Sequence, residues 1–270
     1  MRNPGRLLLL VALGALAIIA AQAVRSRLDR AARLADARSA GATPAGDVAD
    51  SAFADSVIRA SEDLGAVVTL RTSGLPAPVR DSARIAALLA AESAGTYIGA
   101  ILAARDSTIY RWYAPRADPV RVWVQEPVLT GFDPTFHAVL QDAFRAWTNS
   151  GIPLEFRFVI DSARADVHVT WVDRYESRTS GRTRWAHDQH GWIVGGGIEL
   201  ALHQPDGRAL EQRAILAIAR HEVGHLIGLD HSPDEGDVMS ANVRVSDLSE
   251  TDRRTIRLVY GLPAGPLRPR

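Results

Sequence analysis

The sequence predicts an α+β fold: a twisted, mixed sheet of five strands carrying three helices, preceded by a mostly helical N-terminal region. Two periodicities lead there. Five short stretches alternate or run apolar as strands do, and three longer ones repeat their apolar residues every three or four positions. Between residues 116 and 263 they follow one another as one strand, one helix, four strands and two helices. At 270 residues the chain has room for one or two domains. With 47% hydrophobic and 23% charged residues it can bury a sizeable core, which argues against wholesale disorder.

Val120–Val124 (VRVWV) alternates as the first strand. Pro134 opens a helix that places Phe136, Val139, Leu140, Ala143, Phe144 and Trp147 on one face. Leu154–Ile160 and Val167–Val172 read as strands, the second introduced by Ala165-Asp166. Arg184–His187 and Ile198–Leu202 are the remaining two, around the loose run Gly195-Gly196-Gly197. A long helix covers about Arg208 to Ile227. The last, Ser249 to Tyr260, is capped by Ser249 with Asp252 at its third position, and residues 264–270 form a tail.

The region before residue 116 differs. Arg2 and Arg6 precede an uncharged apolar run over residues 7–24, Arg25 and Arg27 follow it, and Ala21-Gln22-Ala23 offers a small-x-small cleavage site. Residues 1–24 therefore read as a signal peptide or membrane anchor, since ~18 apolar residues just span a bilayer. The expected location is extracytoplasmic, either secreted or anchored through residues 7–24. Residues 25–115 read as a stalk or pro-region. Arg27–Arg38 is helical, Ser39–Gly46 is a linker, a second helical stretch runs near Asp47–Leu64, and Gly74–Pro78 breaks the chain. Tyr97–Tyr113 reads as a hairpin turning around Arg105-Asp106-Ser107, with no chemical constellation in it.

Composition excludes several functions. Arg supplies all 31 basic residues against 31 acidic ones, so the chain has no bulk positive charge for nucleic acid. The absence of cysteine removes disulfides, thiolate metal sites and cysteine nucleophiles. Any metal must sit on His, Asp or Glu.

One segment meets that requirement: His221-Glu222-Val223-Gly224-His225-Leu226-Ile227-Gly228-Leu229-Asp230-His231. His221 and His225 lie four apart and share one helix face. Gly228 permits the positive φ that ends the helix, so the chain doubles back and delivers His231. Three imidazoles with an open fourth position make a catalytic zinc site, because a structural site would fill that position with protein. Zinc lowers the pKa of its water towards ~7, and the Glu222 carboxylate beside it can take the proton as the water attacks a carbonyl.

HEVGHLIGLDHS resembles the zinc signature of the metzincin metallopeptidases, and Ser232 after the third His points to the matrixin, or matrix-metalloproteinase-like, branch. Met239 stands eight residues beyond that His, at the family's Met-turn, and Leu248–Gly261 is similar to its closing helix. The resemblance spans roughly Pro119 to Pro263 and implies a matrixin-like zinc metallopeptidase domain over residues 116–263. It implies one zinc ion on His221, His225 and His231, with Glu222 as general base and then proton donor to the leaving amine. Met239 would floor the site, and Asp252 would brace the Met-turn as well as charge its helix start. The strand at Arg184–His187 would hold an extended peptide or protein substrate by main-chain pairing.

Three departures matter. Ala241 and Val243 stand where the family often has the Pro and Tyr that wall the pocket for the residue after the cut. His187, His190 and His203 do not reproduce the family's structural zinc set, and no acidic loop has calcium-ligand spacing, so neither ion is expected. The thiol that keeps many members latent has no counterpart, so any restraint by residues 25–115 must use another contact. The reading is an exported, monomeric zinc endopeptidase. Its rivals are an envelope-anchored scaffold with the same fold and little turnover, and a zinc amidase acting on cell-wall peptides.

Overall fold

The computed structural model describes residues 73–114 and 116–267, with the backbone of residues 58–59 and 68–69. The leader at residues 1–24 and the predicted helix at Arg27–Arg38 lie outside them. No helix among the described residues is long and apolar enough to cross a membrane.

All five expected strands form. They are β5 (Val120–Val124), β6 (Phe156–Val159), β7 (Val167–Val172), β8 (Gly181–His187) and β9 (Trp192–Ala201). Parallel pairing joins β6 to β5, β5 to β7 and β7 to β9, while β8 runs antiparallel to β9. Alternation does the sorting: Val120, Val122, Val167, Val169, Ile198 and Leu200 are all buried. The glycine run expected between strands lies inside β9, its backbone paired with β7 on one side and β8 on the other.

Among the described residues the sheet has seven strands rather than five. Two upstream pairs join it: β2 (Val68–Thr69), parallel to β8, and β4 (Arg111–Trp112), parallel to the start of β9. Two-residue strands carry no periodicity, so sequence could not announce them. Residues 58–59, inside the stretch expected to be helical near Asp47–Leu64, form strand β1 against β10 (Asn242–Val243).

Two helices precede β4: α1 (Ser82–Glu92), capped by the Asp81 side chain, and α2 (Ile98–Ala104). The expected hairpin is thus half wrong. Its first limb is helical because Ile98 and Ile101, three apart, both bury on one face, while its turn stands at Asp106 and Ser107 with φ of 47° and 56°. The chain continues into β3 (Thr108–Ile109), which pairs with β11 (Gly265–Pro266).

Helix α3 (Phe136–Thr148) buries all six residues the pattern assigned to its face. It packs on α4 (Gln212–Leu226), and the Trp147 indole donates to the Arg220 carbonyl at 2.7 Å. Helix α4 is buried nearly all round from Ala214 to Leu226, and α5 (Glu250–Gly261) closes the fold behind a Ser249–Asp252 capping box. Ile85, Tyr97, Ile98, Ile101, Ile109 and Trp112 belong to the same hydrophobic core as the sheet and these helices.

Candidate metal centre

His221 and His225 emerge from adjacent turns of α4 with ring centroids 4.6 Å apart. The Nδ1 of His221 lies 2.8 Å from the Val238 carbonyl and that of His225 lies 3.1 Å from the Leu229 carbonyl. A carbonyl only accepts, so each Nδ1 carries the proton and each Nε2 presents a lone pair. Those two Nε2 atoms face each other at 2.9 Å. Two lone pairs at that distance repel unless a cation sits between them. The orienting carbonyls have the place that partners of metal-bound imidazoles usually occupy.

The third imidazole arrives as the sequence implied. Gly228 adopts φ of 110° and the chain reverses, setting the His231 ring 5.3 Å from His221 and 4.9 Å from His225. One ligand atom from each of the three lies within 4.8 Å of the others. His231 Nε2 is buried without a protein partner. Burial pushes all three imidazole pKa values down, that of His225 to about 3, which leaves them neutral and able to ligate. An orphaned Nε2 beside two opposed lone pairs fits a zinc ion.

Glu222 is fully buried next to them. The Thr183 hydroxyl on β8 donates to its Oε2 at 2.7 Å, while Oε1 is left without a protein partner. Burial raises this carboxyl's pKa to about 8, against the lowering effect of the Thr183 hydrogen bond and the Arg182 charge. A carboxylate with one oxygen fixed and the other free is suited to accept a proton.

Met239 packs beneath the helix against Gly224, where an added Cβ would also stand 2.9 Å from the Trp147 ring, so only glycine allows the approach. Asp252 Oδ2 accepts from the Val238 amide at 3.0 Å and from the Ser249 amide at 2.9 Å. It therefore holds the loop ahead of Met239 and caps α5 at once.

A model of the matrixin family matches residues 132–261, which contain the three histidines, Glu222 and Met239. The domain is matrixin-like. Human neutrophil collagenase is 28% identical over 48% of this chain and 30% of its own length, and rabbit (Oryctolagus cuniculus) interstitial collagenase is 30% identical over 48% and 29%. Metalloendoproteinase 1 of Glycine max is 24% identical over 56% and 53%. The chain thus spans about a third of each collagenase and about half of the plant protein.

The other histidines of the matrixin-like domain stay apart from the site. His187 turns Nδ1 to the Asp188 carbonyl and packs against the Tyr110 ring at a 47° tilt, His190 contacts Gln189, and His203 lies 2.9 Å from Asp173. Sequence reasoning missed two kinds of residue. Thr183 had a signal, since it is a polar residue at a buried position of an alternating strand. The other group comes from the N-terminal region and has none. The Trp112 indole donates to the Leu226 carbonyl at 2.9 Å, and the Arg105 guanidinium donates to the carbonyls of Gly228 at 2.9 Å and Leu229 at 3.0 Å.

Proposed function

We propose that this chain is an exported zinc-dependent endopeptidase that cleaves extended peptide segments. The observation that carries the reading is the convergence of three neutral imidazoles beside a carboxyl with one free oxygen, inside a matrixin-like domain. Zinc held by His221, His225 and His231 would supply a Lewis acid and lower the pKa of water. Glu222 takes the proton of the attacking water on Oε1 and returns it to the leaving amine. Thr183 keeps Oε2 fixed while Oε1 does this. The main chain of β8 orders the substrate.

The same reading makes the N-terminal region a pro-segment that works by main-chain pairing rather than a thiol. Two contacts support this. Residues 68–69 pair along β8, the strand expected to hold the substrate, and residues 58–59 pair with Asn242–Val243, the segment expected to wall its pocket.

The test is cleavage of a quenched peptide library by the zinc-loaded chain, before and after proteolytic removal of residues upstream of Ser73. Cleavage that appears or rises on trimming, and disappears with Glu222→Ala or a chelator, supports both statements. Zinc bound one per chain with no cleavage by either form overturns the endopeptidase. Equal cleavage by both forms overturns the pro-segment.

A further inference from the structure

The third ligand is delivered by a loop, and a loop needs something to hold it. Asp230 Oδ1 accepts from the His231 amide at 2.9 Å, which ties that carboxylate to the ligand's own backbone. The carboxylate's other oxygen lies 3.2 Å from Arg105 Nε. The same guanidinium spans the Gly228 and Leu229 carbonyls, and the Leu229 carbonyl also accepts from His225 Nδ1. One side chain, 125 residues away from Asp230 in sequence, thus touches the carbonyl that orients the His225 imidazole and the carboxylate that holds the His231 backbone. It is held there in turn: its side chain is only 7% exposed, and it lies 5.9 Å from the Tyr110 ring centroid and 5.8 Å from that of Trp185.

From this geometry we infer that Arg105 is a positioning residue for the metal centre, clamping the loop Gly228–Asp230 so that His231 and His225 meet the ion in fixed directions. The inference rests on the zinc reading above. A plain helix cap would need only a carbonyl or two. Arg105 engages three acceptors in a fork that Lys cannot reproduce, and two of them are bonded to zinc-ligand residues.

The experiment compares the full chain with Arg105→Gln, Arg105→Lys and Asp230→Asn. Zinc affinity is read by chelator competition, the visible absorption of the cobalt(II) form reports ligand geometry, and hydrogen exchange over residues 226–232 is followed in the metal-free protein. Arg105→Gln is expected to weaken zinc binding ~10- to 100-fold. It should also alter the cobalt band and speed exchange in that loop, with Arg105→Lys and Asp230→Asn between it and the wild type. Unchanged affinity and cobalt spectrum in a folded Arg105→Gln protein overturn the inference. If Arg105→Gln does not fold, unchanged values in both Arg105→Lys and Asp230→Asn overturn it. A wild-type chain that binds no zinc overturns the metal reading itself, and is recognised before any variant is made.

Discussion

His221 and His225 ride on α4, while His231 rides on a loop, and the two arrangements are stabilised differently. The helix fixes its pair through its own repeat and through burial on nearly every side. The loop has no such repeat. Its geometry comes from a positive-φ glycine, an aspartate and a guanidinium borrowed from the N-terminal region. Half of this metal centre is therefore local chemistry and half is tertiary structure, and only the local half is written in consecutive residues.

The sharpest break of that comparison removes the borrowed part. A chain starting at Arg116 loses Ile85, Tyr97, Ile98, Ile101, Ile109 and Trp112 from the core. At ~1.5–3 kcal/mol for each buried side chain this approaches or exceeds the whole stability of a typical domain. Such a chain is expected to show no cooperative thermal transition by circular dichroism, whereas one starting at Ser73 should keep it. A Ser73 chain that melts no better than the Arg116 chain would refute the role given to α1, α2 and β4.

Next in size is a carboxyl buried on the helix side. Glu222 has its pKa raised to about 8 by burial, so the folded metal-free protein binds a proton that the unfolded chain has released. Its contribution to stability is full below the unfolded pKa of ~4.5 and is lost as pH rises towards about 8. Glu222→Gln should stabilise the metal-free protein by on the order of 3 kcal/mol at pH 7 and by almost nothing at pH 4. Urea unfolding in the presence of a chelator at both pH values measures this, and equal shifts at the two would contradict it. Turnover of the zinc-loaded variant should fall ~100-fold or more.

Smaller still is the direct contrast between ligands. His225→Ala and His231→Ala should both abolish tight zinc binding. The first also empties a buried position and takes one of two donors from the Leu229 carbonyl, costing the metal-free protein about 2 kcal/mol, while the second removes a half-buried loop side chain and costs under ~0.5 kcal/mol. Similar losses in denaturant midpoint would mean that helix and loop are not the distinct supports described here.

The mildest change is Thr183→Val, which deletes the hydroxyl on Glu222 Oε2 and with it an interaction that lowers the carboxyl's pKa. The acidic limb of kcat/KM should move to higher pH, reducing activity near pH 6 by ~3- to 10-fold with little change at high pH. A uniform loss across the profile would make Thr183 a packing residue only.

Much of this was legible beforehand, for physical reasons that differ by residue. The inward face of α3 and the five main strands follow from periodicity, because burial repeats at 3.6 or 2 residues whatever lies opposite. The three histidines and Glu222 were legible because metal geometry demands their spacing. The two-residue strands β1 to β4 were not, since pairing by backbone alone leaves no side-chain signature. Ile98–Ala104 was misread because a seven-residue helix and an alternating strand look alike until their neighbour is known. Arg105 looked like a turn residue, and nothing in Ala-Arg-Asp-Ser announces which carbonyls 123 and 124 residues later it will meet.

The end of α4 has one more consequence. Four successive carbonyls there take side-chain donors from outside the helix: Leu226 from Trp112, Ile227 from the Tyr260 hydroxyl, and Gly228 and Leu229 from Arg105. A helix terminus satisfied from three other segments has nothing left to fray. These contacts predict a cage held in place before any ion arrives, so that loading it exposes or buries almost no apolar surface. Calorimetric titration of the metal-free protein with zinc at several temperatures should return a heat-capacity change close to zero, where a site that folded around its ion would return a large negative one.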